Sequence, residues 1–160
     1  MELKKGFDPE EERMFLNGLV KDYTDTLPYS EIKKEIIVGL MLKEITNTEG
    51  CGLQFGCANG YESNHLAAHL GQLDVVDGSS MFIDRLKSHE HASNTSFRLA
   101  LFEEFDQDLA GRTYDYVSCN YILEHVFDTS VILGNIHGLM HDESLLFVTV
   151  PNSMALSRRL

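Results

Sequence analysis

The feature that most constrains the fold is a short apolar segment, Cys51–Phe55, that runs directly into a turn of small residues. Gly56, Ala58 and Gly60 stand at two-residue spacing in this turn, and a segment of helical character follows at once. Small side chains admit positive φ angles and let a ligand approach the backbone, while a helix N-terminus offers unpaired N–H groups. Glycines also mark ordinary loops, so the turn alone predicts a strand, a tight turn and a helix, with a bound ligand as one explanation.

From residue 50 onward, apolar runs of strand length alternate with segments of helical spacing. The apolar runs are 51–55, 73–76, 96–99, 116–119 and 145–150, and the helical segments are 62–70, 80–87 and about 130–140. Strands that are apolar throughout and alternate with helices indicate a parallel sheet that is covered on both faces. Right-handed crossovers then predict a Rossmann-like, doubly wound α/β fold, with helices on both faces of a mainly parallel sheet.

The first 45 residues differ from this pattern. Asp8 is a favourable N-cap and Pro9 suits the first helical position, so a helix is predicted to about Asp22. Ser30 is predicted to cap a second helix, whose apolar residues recur at helical spacing. Residues 1–45 are therefore expected to form an N-terminal helical segment, or lid, on a Rossmann-like unit at 46–160, with one domain overall.

Composition excludes several classes of function. The chain has 160 residues, of which 43% are hydrophobic, and this suits one compact domain. A formal net charge of −12 repels phosphate backbones, so no nucleic-acid partner is expected. Neither a membrane span nor a secretory signal is predicted, and three cysteines without a CxxC pair favour reduced thiols and a cytoplasmic location. His65 and His69 stand four residues apart without a third ligand, so no metal site is predicted.

Several polar or aromatic residues follow predicted strands, where doubly wound folds bind their ligands. Asp77 ends the second strand, so its carboxylate can accept both hydroxyls of a ribose, or it is simply a turn residue or an N-cap. Phe102 and Glu103 follow the third strand, at a position that can border a flat base; the alternative for the acid Glu103 is a solvated loop position. Asn120 ends the fourth strand, as a contact for a ligand or as a cap of the next turn. His125 is either a general base or a histidine that orders its loop.

Taken in order, these segments resemble the class I S-adenosylmethionine-dependent methyltransferases from about residue 50 to the C-terminus. The glycine-rich turn at 56–60 is similar to the family's first motif, and the segment 76–79 is similar to its second. The segment 114–126, which ends in Leu-Glu-His-Val, is similar to the fourth strand and its following turn. The segment 146–152, which ends in Pro-Asn, is similar to the fifth strand and its exit.

The resemblance implies a sheet of strand order 3-2-1-4-5, with S-adenosylmethionine as cofactor and S-adenosylhomocysteine as product. It places Gly56, Ala58 and Gly60 along the methionine portion and Asp77 at the ribose. Phe102 and Glu103 would border the adenine. The remaining residues that it implies for cofactor binding are Gln54, Cys57, Gly78, Ser79, Asn120 and Tyr121, the last two near the methyl group. His125 is the candidate general base, needed mainly for a hydroxyl acceptor.

Three departures from the family pattern affect the expected function. Gln54 stands where the family usually has an acid, and Ala58 stands at the second glycine of the first motif. The sequence ends soon after the fifth predicted strand, so it predicts no final β-hairpin and an open sheet edge, which favours a homodimer or coverage by a partner chain.

The resulting expectation is methyl transfer to oxygen or nitrogen of a small-molecule acceptor, such as a sugar or a secondary metabolite. The alternative is an impaired or partial methyltransferase-like domain that acts as a binding module. A nicotinamide-dependent oxidoreductase is disfavoured, because its GxGxxG fingerprint would require glycine at Tyr61.

Overall fold

The structure of the protein, a computed structural model, is a five-stranded, fully parallel sheet with helices on both faces. It describes residues 6–22, 28–88, 93–104, 109 and 111–152. The strands β1–β5 are Cys51–Phe55, Gln72–Asp77, Thr95–Leu99, Tyr114–Asn120 and Met140–Thr149. The helices α1–α5 are Pro9–Asp22, Pro28–Glu44, Tyr61–Ala67, Ser80–Lys87 and Thr129–Gly138. The strand order is β3-β2-β1-β4-β5, which confirms the order implied by the sequence.

The central strand β1 determines where a ligand can bind. Phe55, its last residue, pairs with Val76 of β2 on one side and with Cys119 of β4 on the other. The carboxyl ends of these three strands therefore meet at one edge of the sheet. Because the chain runs outward from β1 to β3 and then returns to β4, the strand order reverses between β1 and β4. Doubly wound folds bind ligands at this point.

Alternation along the strands produces two hydrophobic cores, one on each face of the sheet. On one face, Met41 of α2, Leu66 of α3 and Ile83 of α4 pack in a buried cluster with Leu73 and Val75 of β2. On the other face, α5 contributes to a second buried cluster with residues of β1 and β4; its helical members are Ile132 and Ile136. These two cores explain why the central strands β1, β2 and β4 are mostly buried on both faces.

The N-terminal helices pack closely on the sheet domain. Helix α2 begins at Pro28, so Ser30 lies inside its first turn and the predicted cap at Ser30 was wrong. Val38 and Met41 of α2 are buried, and so is Ile45 just after the helix, which makes this segment part of the core. Helix α1 contacts α4. The division at residues 45 and 46 stays a prediction, and so does a lid function for the N-terminal segment.

Strand β5 is longer than the sequence predicted. It begins at Met140 rather than at about residue 145, because Met140 pairs with Tyr114 and the register then shifts before Tyr116. Within the described residues, no strand pairs with the outer edge of β5. Leu145, Leu146 and Val148 are each 36–43% exposed. Self-association through this edge stays a prediction. None of the helices in the described ranges is long and apolar enough to cross a membrane.

Candidate functional site

A cavity lies where the strand order reverses, at the carboxyl ends of β1 and β4. Its space amounts to about 620 Å³ when the part that is open solvent is included. Six of the residues predicted for the site line it: Gln54, Gly56, Cys57, Ala58, Asn120 and Tyr121. The sequence therefore located the cavity, although the binding roles of these residues stay predictions.

The turn between β1 and α3 has the backbone conformation that its small residues predicted. Gly56, Ala58 and Gly60 have φ angles of 74°, 44° and 83°. A Cβ atom at Gly56 would overlap the Ile122 side chain, and one at Gly60 would overlap Leu86. Ala58 lacks glycine's freedom in this region, where an L-residue is destabilised by roughly 1–2 kcal/mol. The turn thus combines two glycines that sterics require with one strained alanine.

Asp77 holds this turn together from the end of β2. Its Oδ2 atom accepts hydrogen bonds from the Cys57 backbone N–H at 2.9 Å and from the Cys57 thiol at 3.3 Å. Its Oδ1 atom accepts from the Ser79 N–H at 2.8 Å. Burial raises the pKa of the Asp77 carboxyl, against the lowering effect of these bonds. Burial and the Asp77 charge likewise raise the pKa of the Cys57 thiol.

Gly78 and Ser79 lie beneath helix α1. The Leu16 side chain comes so close to Gly78 that a Cβ atom there would lie 2.5 Å from a Leu16 methyl carbon. The Ser79 hydroxyl donates to the Asn17 side chain at 2.8 Å and accepts from the Phe82 N–H at 3.4 Å, which caps α4. The end of β2 is therefore covered by α1 and does not belong to the cavity.

The residues after β3 are more buried than a solvated loop would be. Phe102 is 8% exposed and packs edge-to-face on Phe55, with 5.5 Å between the ring centroids. Glu103 is also 8% exposed and accepts from the Phe127 N–H at 3.1 Å. The solvated alternative for Glu103 was therefore wrong. A border to an adenine ring stays a prediction.

His125 lies apart from the cavity. Its side chain is exposed, and its backbone N–H donates to the Ile122 carbonyl at 2.8 Å in a turn. The described residues that line the cavity do not include it. It is close enough to α1 for its charge to lower the pKa of Glu12, which burial and Glu103 raise more strongly. The general-base role therefore has no geometric support in this conformation.

The structure adds charged residues that the sequence did not single out. Lys33 and Lys34 of α2 and Glu62 of α3 line the cavity. The Lys33 ammonium lies 4.0 Å from the centroid of the Tyr121 ring, a cation–π contact. No sequence signal marked the two lysines as site residues, since charged helix residues usually face solvent.

Glu62 is held by two side chains of β4. The Ser118 hydroxyl donates to its Oε1 atom at 2.5 Å, and the Asn120 amide donates to its Oε2 atom at 3.1 Å. Burial raises the pKa of the Glu62 carboxyl, and both hydrogen bonds oppose that rise. The Asn120 carbonyl in turn accepts from the Thr149 hydroxyl at 2.7 Å, which fixes the amide orientation.

Gln54 turns one end of its amide toward the backbone. Its Nε2 atom donates to the Gly56 carbonyl at 2.9 Å, whereas its Oε1 atom is buried without a hydrogen-bond partner. The side chain is 2% exposed. A buried polar atom without a partner costs about 1–3 kcal/mol, so a donor that entered the cavity would be stabilised there.

Comparisons with known proteins agree with this geometry. A ubiquinone biosynthesis O-methyltransferase of Coxiella burnetii is 29% identical over 102 residues, which are 62% of this chain and 43% of that protein. The structure of DhpI with S-adenosylmethionine and HEP superposes with a TM-score of 0.70 at 18% identity, covering 94% of this chain and 70% of the other.

A third similar protein is the N-methyltransferase NodS of Bradyrhizobium japonicum WM9 in complex with S-adenosyl-L-homocysteine. Its TM-score is 0.70 at 19% identity, and the match covers 86% of this chain and 71% of that chain. At these identities the structural matches establish the shared fold. The model of the methyltransferase domain family matches residues 30–160. The chain belongs to the methyltransferase domain family, which confirms the family predicted from its motifs.

Proposed function

We propose that this chain transfers a methyl group from S-adenosylmethionine to oxygen or nitrogen of a small-molecule acceptor. The observation that carries the proposal is the turn at 56–60, whose left-handed backbone opens onto a cavity at the strand-order reversal. This is where a doubly wound fold binds its ligand. The chain spans 43% of the length of the curated relatives that it matches, so the activity is inferred from its own site.

The methionine portion of the cofactor suits the cavity. The Gly56 backbone lines the cavity, and the unpaired Gln54 carbonyl can accept from an ammonium group. Asn120 and Tyr121 would then lie near the methyl group, on the side where β4 ends. S-adenosylmethionine supplies an electrophilic methyl group, and the contribution expected of these residues is to hold the acceptor in line with it, worth up to roughly 7–11 kcal/mol.

Asp77 would receive the ribose. A carboxylate offers about four lone-pair sites, and three of those on Asp77 are occupied by Cys57 and Ser79. One hydroxyl can therefore bind directly, and a second can bind when the Cys57 thiol turns away. A thiol is a weak donor, so its bond is the weakest of the three and this exchange is the least costly.

Helix α1 would have to shift for the nucleoside to reach Asp77. Leu16 covers Gly78, and Asn17 holds the Ser79 hydroxyl. Arg13 of the same helix pairs with Glu104 at 3.1 Å, on partly exposed side chains whose pairing contributes little to stability. We therefore propose that α1 acts as the predicted lid over the nucleoside end of the site.

The acceptor is proposed to be a small molecule. The similar proteins include an O-methyltransferase of ubiquinone biosynthesis and an N-methyltransferase, so both acceptor atoms occur among them. A sugar or another secondary metabolite remains our expectation. For a hydroxyl acceptor a base is needed, and His125 would serve only after a rearrangement that brings it to the cavity.

Calorimetric titration with S-adenosylhomocysteine tests the proposal. The purified chain should bind it with micromolar affinity, and Asp77→Ala should lose binding. Asp142→Ala, which removes an exposed acid of β5, is the matched control and should bind as the wild type does. A folded wild-type chain that shows no binding would refute the proposal for this chain acting alone.

The second candidate is a binding module without turnover. It is favoured by the strained Ala58 and by the uncharged Gln54, both of which depart from the family pattern. S-adenosylmethionine consumption distinguishes the two, because a module binds the cofactor but does not convert it to S-adenosylhomocysteine. Incubation with catechol, sugar and amine acceptors should yield S-adenosylhomocysteine with at least one of them if the chain is an enzyme.

A further inference from the structure

The cavity carries charges of both signs, although the chain as a whole is strongly acidic. Glu62 is the one carboxylate among the described residues that line it, and Lys33 and Lys34 are its cations. An amino-acid zwitterion carries the complementary pair of charges, an ammonium and a carboxylate. The methionine portion of the proposed cofactor is such a zwitterion.

Glu62 retains the capacity to bind a cation. Ser118 and Asn120 each occupy one lone-pair site of its carboxylate, which leaves about two sites for further donors. Both partners stand on β4 two residues apart, so they point to the same face of the sheet and fix the carboxylate there. The group is therefore oriented before any ligand arrives.

Gln54 provides an independent sign of a missing donor. Its Oε1 atom is buried and unpaired, and the side chain lines the same cavity as Glu62. Because its Nε2 atom is bonded to the Gly56 carbonyl, the amide cannot reverse without losing that bond. The site thus presents an unsatisfied acceptor and a carboxylate, and both require a donor.

We propose that Glu62 binds the ammonium group of the cofactor's methionine portion, with the Gln54 carbonyl as a second acceptor. This assignment rests on the proposed function. The family usually carries an acid at the position of Gln54. In this chain the negative charge is supplied instead by Glu62, in the first turn of α3. Lys33, on α2, supplies the cation for the neighbouring carboxylate of the ligand.

The affinities of three ligands distinguish the contribution of the ammonium contact from that of the rest of the site. They are S-adenosylhomocysteine, its analogue with hydrogen in place of the amino group, and 5′-methylthioadenosine, which lacks the amino-acid portion. A charged hydrogen bond is worth enough that the wild-type chain should bind the deaminated analogue about tenfold or more weakly than S-adenosylhomocysteine. Equal affinity for these two ligands in the wild type would overturn the assignment without requiring any variant.

Glu62→Gln then identifies the residue responsible. The amide keeps the shape of the side chain and an acceptor oxygen, but it removes the charge. The affinity for S-adenosylhomocysteine should fall by about tenfold or more, and the affinities for the deaminated analogue and for 5′-methylthioadenosine should change by about twofold or less. The preference for the ligand with the ammonium should therefore fall well below the wild-type factor. Glu143→Gln, an exposed acid of β5, is the control and should retain the wild-type preference.

Two outcomes with Glu62→Gln would contradict the inference. If the variant still discriminates by the wild-type factor, the ammonium binds elsewhere. If the affinities for all three ligands fall by the same factor, Glu62 only shapes the cavity. In both cases the proposed function stands, because the wild type binds S-adenosylhomocysteine. Failure of the folded wild type to bind any of the three ligands would instead refute the proposed function, and with it this assignment.

Discussion

Replacing Gly60 with alanine tests the backbone conformation on which the proposed cofactor site depends. Gly60 has a φ angle of 83° and stands just before helix α3, without a side-chain cap. An alanine in this left-handed region is destabilised by roughly 1–2 kcal/mol. Its Cβ atom would also overlap Leu86, a buried core residue, and overpacking typically costs about 1–3 kcal/mol.

The net change should be smaller than the sum of these terms. Because alanine lowers the conformational entropy of the unfolded chain relative to glycine, it offsets this destabilisation by about 0.4–1 kcal/mol. We therefore expect Gly60→Ala to lower the free energy of unfolding by about 2–4 kcal/mol. With a typical slope for a small protein, the urea midpoint should fall by roughly 1–2 M.

Gly39→Ala is the matched control with the opposite sign. Gly39 lies inside helix α2, and no atom lies within 4 Å of a Cβ placed there. Alanine is favoured over glycine in a helix interior by about 0.8–1 kcal/mol, so the urea midpoint should rise. Urea unfolding followed by circular dichroism measures both variants. An unchanged or higher midpoint for Gly60→Ala would show that the turn does not hold the left-handed conformation.

Further outcomes follow from the same structure. Ala58→Gly should raise the free energy of unfolding by up to about 1 kcal/mol in urea titrations, since φ at Ala58 is 44°; a loss would contradict the strain. Asp74→Ala should lower the free energy of unfolding by about 2–4 kcal/mol in the same assay, because buried Asp74 accepts hydrogen bonds from Arg112 and Tyr114 at 2.6 Å each. Among the described residues, three carboxyl groups have a raised pKa. A raised folded-state pKa gives stability that is present at low pH and is lost as the pH rises, so the urea midpoint should fall progressively from about pH 4 upward. These groups are Glu12, Glu62 and Asp77. Glu62→Gln should reduce this pH dependence, and identical profiles for variant and wild type would exclude its contribution. No strand of the described ranges pairs with the outer edge of β5, and we expect this edge to promote dimers; a monomer in light scattering at high concentration would count against that association.

The fold could be predicted from the sequence because its strands are buried on both faces. Val75 and Val76 are both fully buried although they point to opposite faces, so the run at 73–76 is buried on both faces, Asp74 included, and lacks the alternation of a half-exposed strand. The start of β5 could not be predicted in this way. His141 and Glu143 are exposed in that strand, and they carry no apolar signature.

The site could be predicted only in part, because half of it comes from elements that are distant in sequence. The turn at 56–60 is local, and its small residues identify it. Lys33 reaches the cavity only because α2 packs across the end of the sheet, a contact that no periodicity specifies. Glu62 is recognisable as a site residue only once Ser118 and Asn120 of β4 are seen to hold it.

Asp77 shows why folding and ligand binding are coupled in this turn. Its carboxylate fixes the backbone of Cys57 and Ser79, and a ribose would bind the same oxygens. Removing Asp77 therefore perturbs the turn as well as the ligand contact, and loss of binding in Asp77→Ala reflects both effects. Glu62 is held by β4 side chains and makes none of the turn's bonds, so its replacement changes the charge of the site while leaving the turn in place. Comparing ligands in the Glu62 variant consequently distinguishes a lost ligand contact from a disturbed turn. Substitution of Asp77 alone cannot make this distinction.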